Sequence, residues 1–229
     1  MKILALDTSG FEGSIAVADD RKIMAEQFLP SEGRRHAQTL VSETASLLQQ
    51  LGLGPADIDA VAVSVGPGSF TGLRVGVVFA KTFAWANDAQ LVAVDTLRAL
   101  AQQIDGRHEQ VLVVSDAQRR ELFCGHYRWD TDRAARVPTG PVSLHPVEEV
   151  IATGLVDSST VITGPALAKF GSEFSDQHCL SEPTFWRPRA GTVAEIGSLM
   201  LADGELADPN TLEPVYIRRS YAEEKAAQR

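Results

Sequence analysis

Three stretches of this chain carry side chains whose types and spacing could do chemistry. Asp7-Thr8-Ser9 follows an apolar run and could meet a nucleotide phosphate or its metal ion, although the same triplet also makes ordinary Asx and Ser/Thr turns. Cys124 and His126 stand two apart in an alternating stretch, which puts a thiol and an imidazole on one face of a strand. Two ligands do not complete a metal site, and His36, His108, His145 and His178 fall at no HExxH or HxxxH spacing, so no metal is expected. The third stretch is Gly66-Pro67-Gly68-Ser69-Phe70-Thr71-Gly72-Leu73-Arg74. A Walker A loop needs Lys directly after its second glycine, where this chain has Leu73. The dinucleotide fingerprint fails at Thr71, which stands where the third glycine belongs. A nucleophile elbow fails by one residue, since Gly72 comes one place too late after Ser69. What remains is a turn suited to close backbone approach, with Ser69 or Thr71 able to cap the helix that follows.

The elements that must position these residues are legible from periodicity. Residues 2–6, 14–18 and 22–28 read as a three-strand meander, followed by a helix near 36–51 and a strand at 60–65. After the glycine-rich turn come a helix at 71–86, a strand at 90–94 and a short helix capped by Thr96. The order βββαβαβα describes a mixed sheet with helices on its faces. The pattern restarts after about residue 105, with strands at 110–115, 121–129, 141–144 and 160–163, a helix at 192–202 and a terminal segment at 214–219. No sequence repeat is visible, yet two βββα-type halves imply a duplication with a worn second copy. The expected division is 1–105 and 106–229.

The helix at 71–86 carries Leu73, Val75, Val77, Val78, Phe79, Phe83 and Trp85, with Arg74 and Lys81 its only charges. A helix apolar on nearly every side must be covered twice. Gly72, Gly76, Ala80 and Ala84 recur every four residues and would make a groove for another helix. The helix at 36–51 adds two apolar rows, Leu40, Thr44, Leu47 and Leu51, then Val41, Ala45 and Leu48. We therefore expect an interface built from Leu40, Thr44, Leu47, Gly72, Gly76, Val77, Ala80 and Phe83, with Arg74 and Lys81 at its rim or against a carboxylate. Burial of both helices inside one domain is the competing reading. On the first reading, Ala80→Trp should fill the groove and block pairing.

Composition sets further bounds. A chain of 229 residues with 44% hydrophobic content can bury a sizeable core. Its net charge of −9 argues against a stand-alone RNA binder, because phosphate neutralisation dominates such affinity. The basic pairs at 34–35, 119–120 and 218–219 read as solvated surface. Cys124 and Cys179 make no disulfide framework and are expected to be reduced thiols. With no signal segment or bilayer-length apolar run visible, a cytoplasmic location is expected.

LALDTS at 4–9, VGPGSFTGLRVG at 65–76, VDTLRALA at 94–101, SDAQRRELF at 115–123 and EPVYIRR at 213–219 together resemble the TsaB (YeaZ) family of tRNA threonylcarbamoyladenosine biosynthesis proteins. The resemblance covers nearly the whole chain. It implies an α/β, two-lobed actin-like fold, of the sugar kinase, Hsp70 and ribonuclease H-like class, with a degenerate second lobe. It also implies a non-catalytic scaffold in the modification of the adenosine beside the anticodon, paired with the catalytic paralogue TsaD or with itself through the first two helices. The ATPase TsaE would join the pair, and tRNA would be met only indirectly, through the complex. The metal-binding histidines of TsaD fall here at Thr96 and Leu100, neither of which can replace imidazole on a metal. No cofactor is implied beyond weak ATP or ADP at the partner interface. Two other readings stand beside this one. An ATP-dependent phosphotransferase of the same fold would use Asp7, but only Thr163-Gly164-Pro165-Ala166 offers an adenosine turn, and no general base is obvious. A weak peptidase acting on its partner lacks both metal-ligand spacing and a Ser/His/Asp set.

Overall fold

A computed structural model describes residues 1–30, 36–152, 159–174 and 178–217 of the chain. The basic pairs at 34–35 and 218–219 lie outside the described residues. Strands β1 (Lys2–Asp7), β2 (Ser14–Asp19), β3 (Lys22–Phe28), β4 (Ala60–Gly66) and β5 (Gln90–Asp95) form one sheet in the order β3-β2-β1-β4-β5. The first three are antiparallel, as a meander must be, while β1, β4 and β5 run parallel. Every residue of β4 is buried, which is why AVAVSVG reads as a nearly unbroken apolar run rather than an alternating one.

The second sheet repeats this plan. It contains β6 (Gln110–Asp116), β7 (Glu121–Asp130), β8 (Ala135–Pro138), β9 (Ser143–Pro146), β10 (Val161–Thr163) and β11 (Cys179–Leu180), in the order β11-β10-β6-β7-β8 with β9 also on β7. Strands β6, β7 and β8 are antiparallel, and β6, β10 and β11 are parallel. The two sheets thus match strand for strand in order and direction, with β10 and β11 shortened to three and two residues. This is the two-lobed α/β fold with a worn second copy that the resemblance implied. The short β8 and β11 carry too little pattern to be read from sequence, and the strand expected at 141–144 lies at Ser143–Pro146. Residues 213–217 form no strand; they reach the first sheet through one bond, Val215 N–H to Val65 O at 2.7 Å.

Helices α1 (His36–Gln50) and α2 (Phe70–Asn87) cover one face of the first sheet, packing Leu40, Leu47, Leu48, Val77 and Ala80 onto Leu4, Leu6, Val61 and Val63. On the second sheet the matching positions are held by the short α4 (Val147–Ala152) and α5 (Leu167–Phe170).

The remaining helices pack across the expected division at 105. Helix α6 (Ala190–Ala202) lies on the other face of the first sheet, where Val193, Ala194 and Ile196 meet Ile3, Ala5, Ala62 and Val92. Helix α3 (Thr96–Gln102) sends Leu97, Leu100 and Ala101 against Val111, Val113 and Tyr127 of the second sheet. Each half therefore lends its last helix to the other half. A cut by sequence at 105 separates both helices from the surfaces they cover. The link after α3 is held by Arg136, a fully buried arginine that donates to the carbonyls of Ile104, Asp105 and Glu109 at 2.9–3.1 Å. Desolvation pulls its guanidinium down to about 10.

Candidate functional site

The glycine-rich turn approaches the chain's own first strand, not a ligand. A Cβ added at Gly68 would lie 2.7 Å from Ser9 O, and one at Gly72 would lie 1.9 Å from Thr8 O. At Gly76 the added atom would meet Thr8 Oγ1 at 2.3 Å. Thr8 Oγ1 donates to Gly72 O at 2.8 Å, and Ser69 N–H donates to Ser9 O at 2.7 Å. Ser69 caps α2 by accepting from Gly72 N–H, so of the two expected caps the first is used. Asp7 is buried and accepts from both the N–H and the hydroxyl of Ser9 at 3.0 Å. Asp7, Thr8 and Ser9 thus form the turn that locks β1 to α2; of the three, only Ser9 reaches the cleft between the lobes.

That cleft consists of two adjoining hollows of about 450 and 740 Å³. Its walls include Phe11, Pro67, Leu100, Pro165, Trp186 and Pro188, and the Phe11 side chain stands 85% exposed at the rim. The lining is mostly apolar; its polar members include Ser9, Thr96, Ser115 and Arg187, the last paired with Glu12. Thr96 and Leu100 both face it. Thr96 is not the cap of α3: its Oγ1 accepts from Gly66 N–H at 3.0 Å, while Asp95 caps the helix by accepting from Arg98 N–H at 2.7 Å. Gly164, the proposed adenosine turn, is held against β6, where an added Cβ would sit 2.3 Å from Val114 O.

Among the described residues no group of three or more His, Cys, Asp or Glu side chains is placed to hold a metal ion. Burial pushes the Cys124 thiol up to about 12, with Glu149 adding to the shift, so it is a poor thiolate. Cys179 is exposed. Of the basic pair at 119–120, Arg120 bridges Glu148 and Glu173 at 2.6 and 2.8 Å.

Most of the residues expected at an interface lie inward in the lone chain. Leu40, Thr44, Leu47, Gly72, Gly76, Val77 and Ala80 are all buried inside the lobe; Phe83 alone of the eight is partly exposed. The small-residue row at 72, 76, 80 and 84 faces the chain's own sheet, which fills the groove reserved for a partner. Ala80→Trp would disrupt that packing instead of reporting on pairing. The exposed rows are their neighbours. Val41 is 65% and Val78 62% exposed, and Ala45, Thr82, Trp85 and Ala86 are also at the surface. Of these, all but Trp85 line, with Val75, Phe79 and Phe83, two shallow hollows of about 460 and 430 Å³ along the α1–α2 seam. The Oγ1 of Thr44, which lines the second hollow, has no hydrogen-bond partner among the described residues. The two cations of α2 also part company: Lys81 Nζ donates to Leu212 O at 3.0 Å, whereas Arg74 lines the first hollow.

Residues 23–140 match the TsaD family model, described as tRNA N6-adenosine threonylcarbamoyltransferase. The chain is 30% identical to the tRNA threonylcarbamoyladenosine biosynthesis protein TsaB of Bacillus subtilis, over 98% of this chain and 97% of that one. It is 29% identical to TsaB of Escherichia coli, over 98% of each. Among solved structures, a Pseudomonas aeruginosa protein described as similar to peptidase YeaZ superposes with a TM-score of 0.81 at 26% identity, covering 95% of this chain and 99% of that one. Among the described residues no helix is long and apolar enough to cross a membrane.

Proposed function

The chain belongs to the TsaB (YeaZ) family of tRNA threonylcarbamoyladenosine biosynthesis proteins, and from that premise we propose that it acts there as a non-catalytic scaffold, holding the TsaD paralogue through the α1–α2 face. The observation that carries this reading is the uncovered apolar seam itself. The exposed Val41 and Val78 and the half-buried Phe79 and Phe83 form a continuous apolar surface on the two helices where a lone soluble domain would carry charge. Two flanking hollows can receive the side chains of a facing helix pair. The same face is open to a second copy of the chain, so the free protein is expected to be a homodimer that exchanges for the heterodimer. TsaE would join the pair, and tRNA would be bound by the complex and not by this acidic chain, all in the cytoplasm.

A scaffold role agrees with the cleft. The positions corresponding to the transferase histidines are a threonine whose hydroxyl accepts from Gly66 N–H and a leucine, both buried. Leucine has no donor atom and a neutral threonine hydroxyl is a poor substitute for imidazole on a metal, and the reading requires no metal or nucleotide in this chain. Light scattering of the purified chain with its TsaD paralogue tests the proposal. In the mixture the homodimer mass should give way to that of a one-to-one complex, and Val78→Asp should abolish both assemblies without changing the thermal midpoint. An unaltered heterodimer with Val78→Asp would remove the face from consideration.

A further inference from the structure

We propose that Arg74 is a preset carboxylate receptor at the edge of the α1–α2 face, anchoring an aspartate or glutamate of the partner that docks there. The inference rests on the docking reading above and adds the polar contact that orients it. Arg74 stands one helical turn before Val78 and shares the lining of the first hollow with it. Its guanidinium carbon lies 3.8 Å from the centre of the Phe70 ring. Its Nε donates to the hydroxyl of Tyr216 at 2.9 Å, and the Tyr216 and Phe70 rings pack with centroids 5.0 Å apart. Tyr216 is itself held by the backbone bond from its neighbour Val215 to Val65. Two rings and one hydroxyl thus fix the plane of an exposed guanidinium, so little side-chain freedom remains to be lost on binding.

The terminal nitrogens of Arg74 make no hydrogen bond or ion pair with any described residue. Other arginines of this chain meet an acid within it: Arg120 meets Glu148 and Glu173, Arg133 meets Asp203, Arg187 meets Glu12, and Arg189 meets Glu26. At Arg74 the exposed fork meets no acid among the described residues and lies beside an apolar surface that would exclude water once covered. A planar fork in that setting matches a carboxylate through two parallel hydrogen bonds, and desolvation by the surrounding contact strengthens the pair. A nucleic-acid phosphate has the same charge, but the chain's net charge of −9 opposes it and the neighbouring surface is apolar.

The test is the affinity of the full chain for its TsaD paralogue, measured by calorimetry at low and moderate salt for the parent and five variants. Arg74→Glu should weaken binding about tenfold or more, and Arg74→Lys severalfold, because an ammonium keeps the charge and loses the fork. Tyr216→Phe, which frees the guanidinium without removing it, should cost about two- to fivefold. Arg74→Gln serves if the glutamate variant fails to fold, and all thermal midpoints should stay near that of the parent. Parent-like affinity for Arg74→Glu or Arg74→Gln, with Val78→Asp abolishing binding, overturns the role of Arg74 and leaves the face standing. Parent-like affinity for Val78→Asp overturns the face. Binding of tRNA by the parent chain that is lost in Arg74→Glu would reassign the anion to a phosphate and also overturn the inference.

Discussion

Gly72 shows how closely the glycine-rich turn is fitted to the chain that precedes it. The Cβ of an alanine there would fall 1.9 Å from the Thr8 carbonyl oxygen, a backbone atom just past the end of a strand that is buried from Ile3 to Asp7. Neither partner can move without shifting the sheet or the helix. Gly72→Ala is therefore expected to lose stability at the upper end of about 1–3 kcal/mol, read as a lower urea midpoint. Gly140, with open space around its added Cβ, supplies the control, and Gly140→Ala should stay within about 0.5 kcal/mol of the parent. The need for close approach at 66–72 was legible in the glycine spacing. Its object was not, because Asp7-Thr8-Ser9 is over fifty residues away in sequence and looks like any turn.

Among the elements, α3 carries a pH dependence that the sequence conceals. Its cap, Asp95, accepts from Arg98 N–H and from the Tyr127 hydroxyl, at 2.7 and 2.9 Å, but burial dominates and raises its pKa above the ordinary 3.8. A raised carboxylate pKa means that the folded state holds the proton more firmly than the unfolded one. Its stabilising share is complete below the unfolded pKa and is lost as pH climbs through the folded value. Glu195, raised chiefly by burial as well, acts with the same sign. Asp95→Asn keeps an acceptor for both bonds and cannot ionise. Relative to the parent it should gain stability as pH rises above 3.8, with part of the slope remaining from Glu195; thermal midpoints across pH 3–7 check this, and parallel curves would contradict it. The short helix itself was expected from sequence with Thr96 as its cap. That residue type was reasonable; which of two adjacent polar side chains turned inward to Gly66 was decided by β4 lying beside it.

On the scale of the whole molecule, the exchange of α3 and α6 between lobes makes neither half self-sufficient. A chain ending at residue 189 would lack α6 and leave Ile3, Ala5, Ala62 and Val92 facing water, at a contact so close that a Cβ added at Gly197 would lie 2.6 Å from that of Ala62. Such a truncation is expected to lose its cooperative thermal transition and to bind hydrophobic dyes, whereas the parent should melt in one step. The sequence by itself determined the strands of the first sheet, the two long helices, the family and the worn duplication, because those signals are local: alternation, apolar periodicity and short motifs. Only the tertiary structure decided which row of α2 is the inner one. A helix apolar on nearly every side has no phase of its own, so Gly72, Gly76 and Ala80 read as readily as a partner's groove as Val78 and Phe79 do. The sheet beneath them sets the phase, and it takes the small residues because only they let a helix lie against Thr8. For the same reason the reach of α6 back to β1 was hidden. Its apolar residues announce burial, but connectivity alone does not say against which sheet.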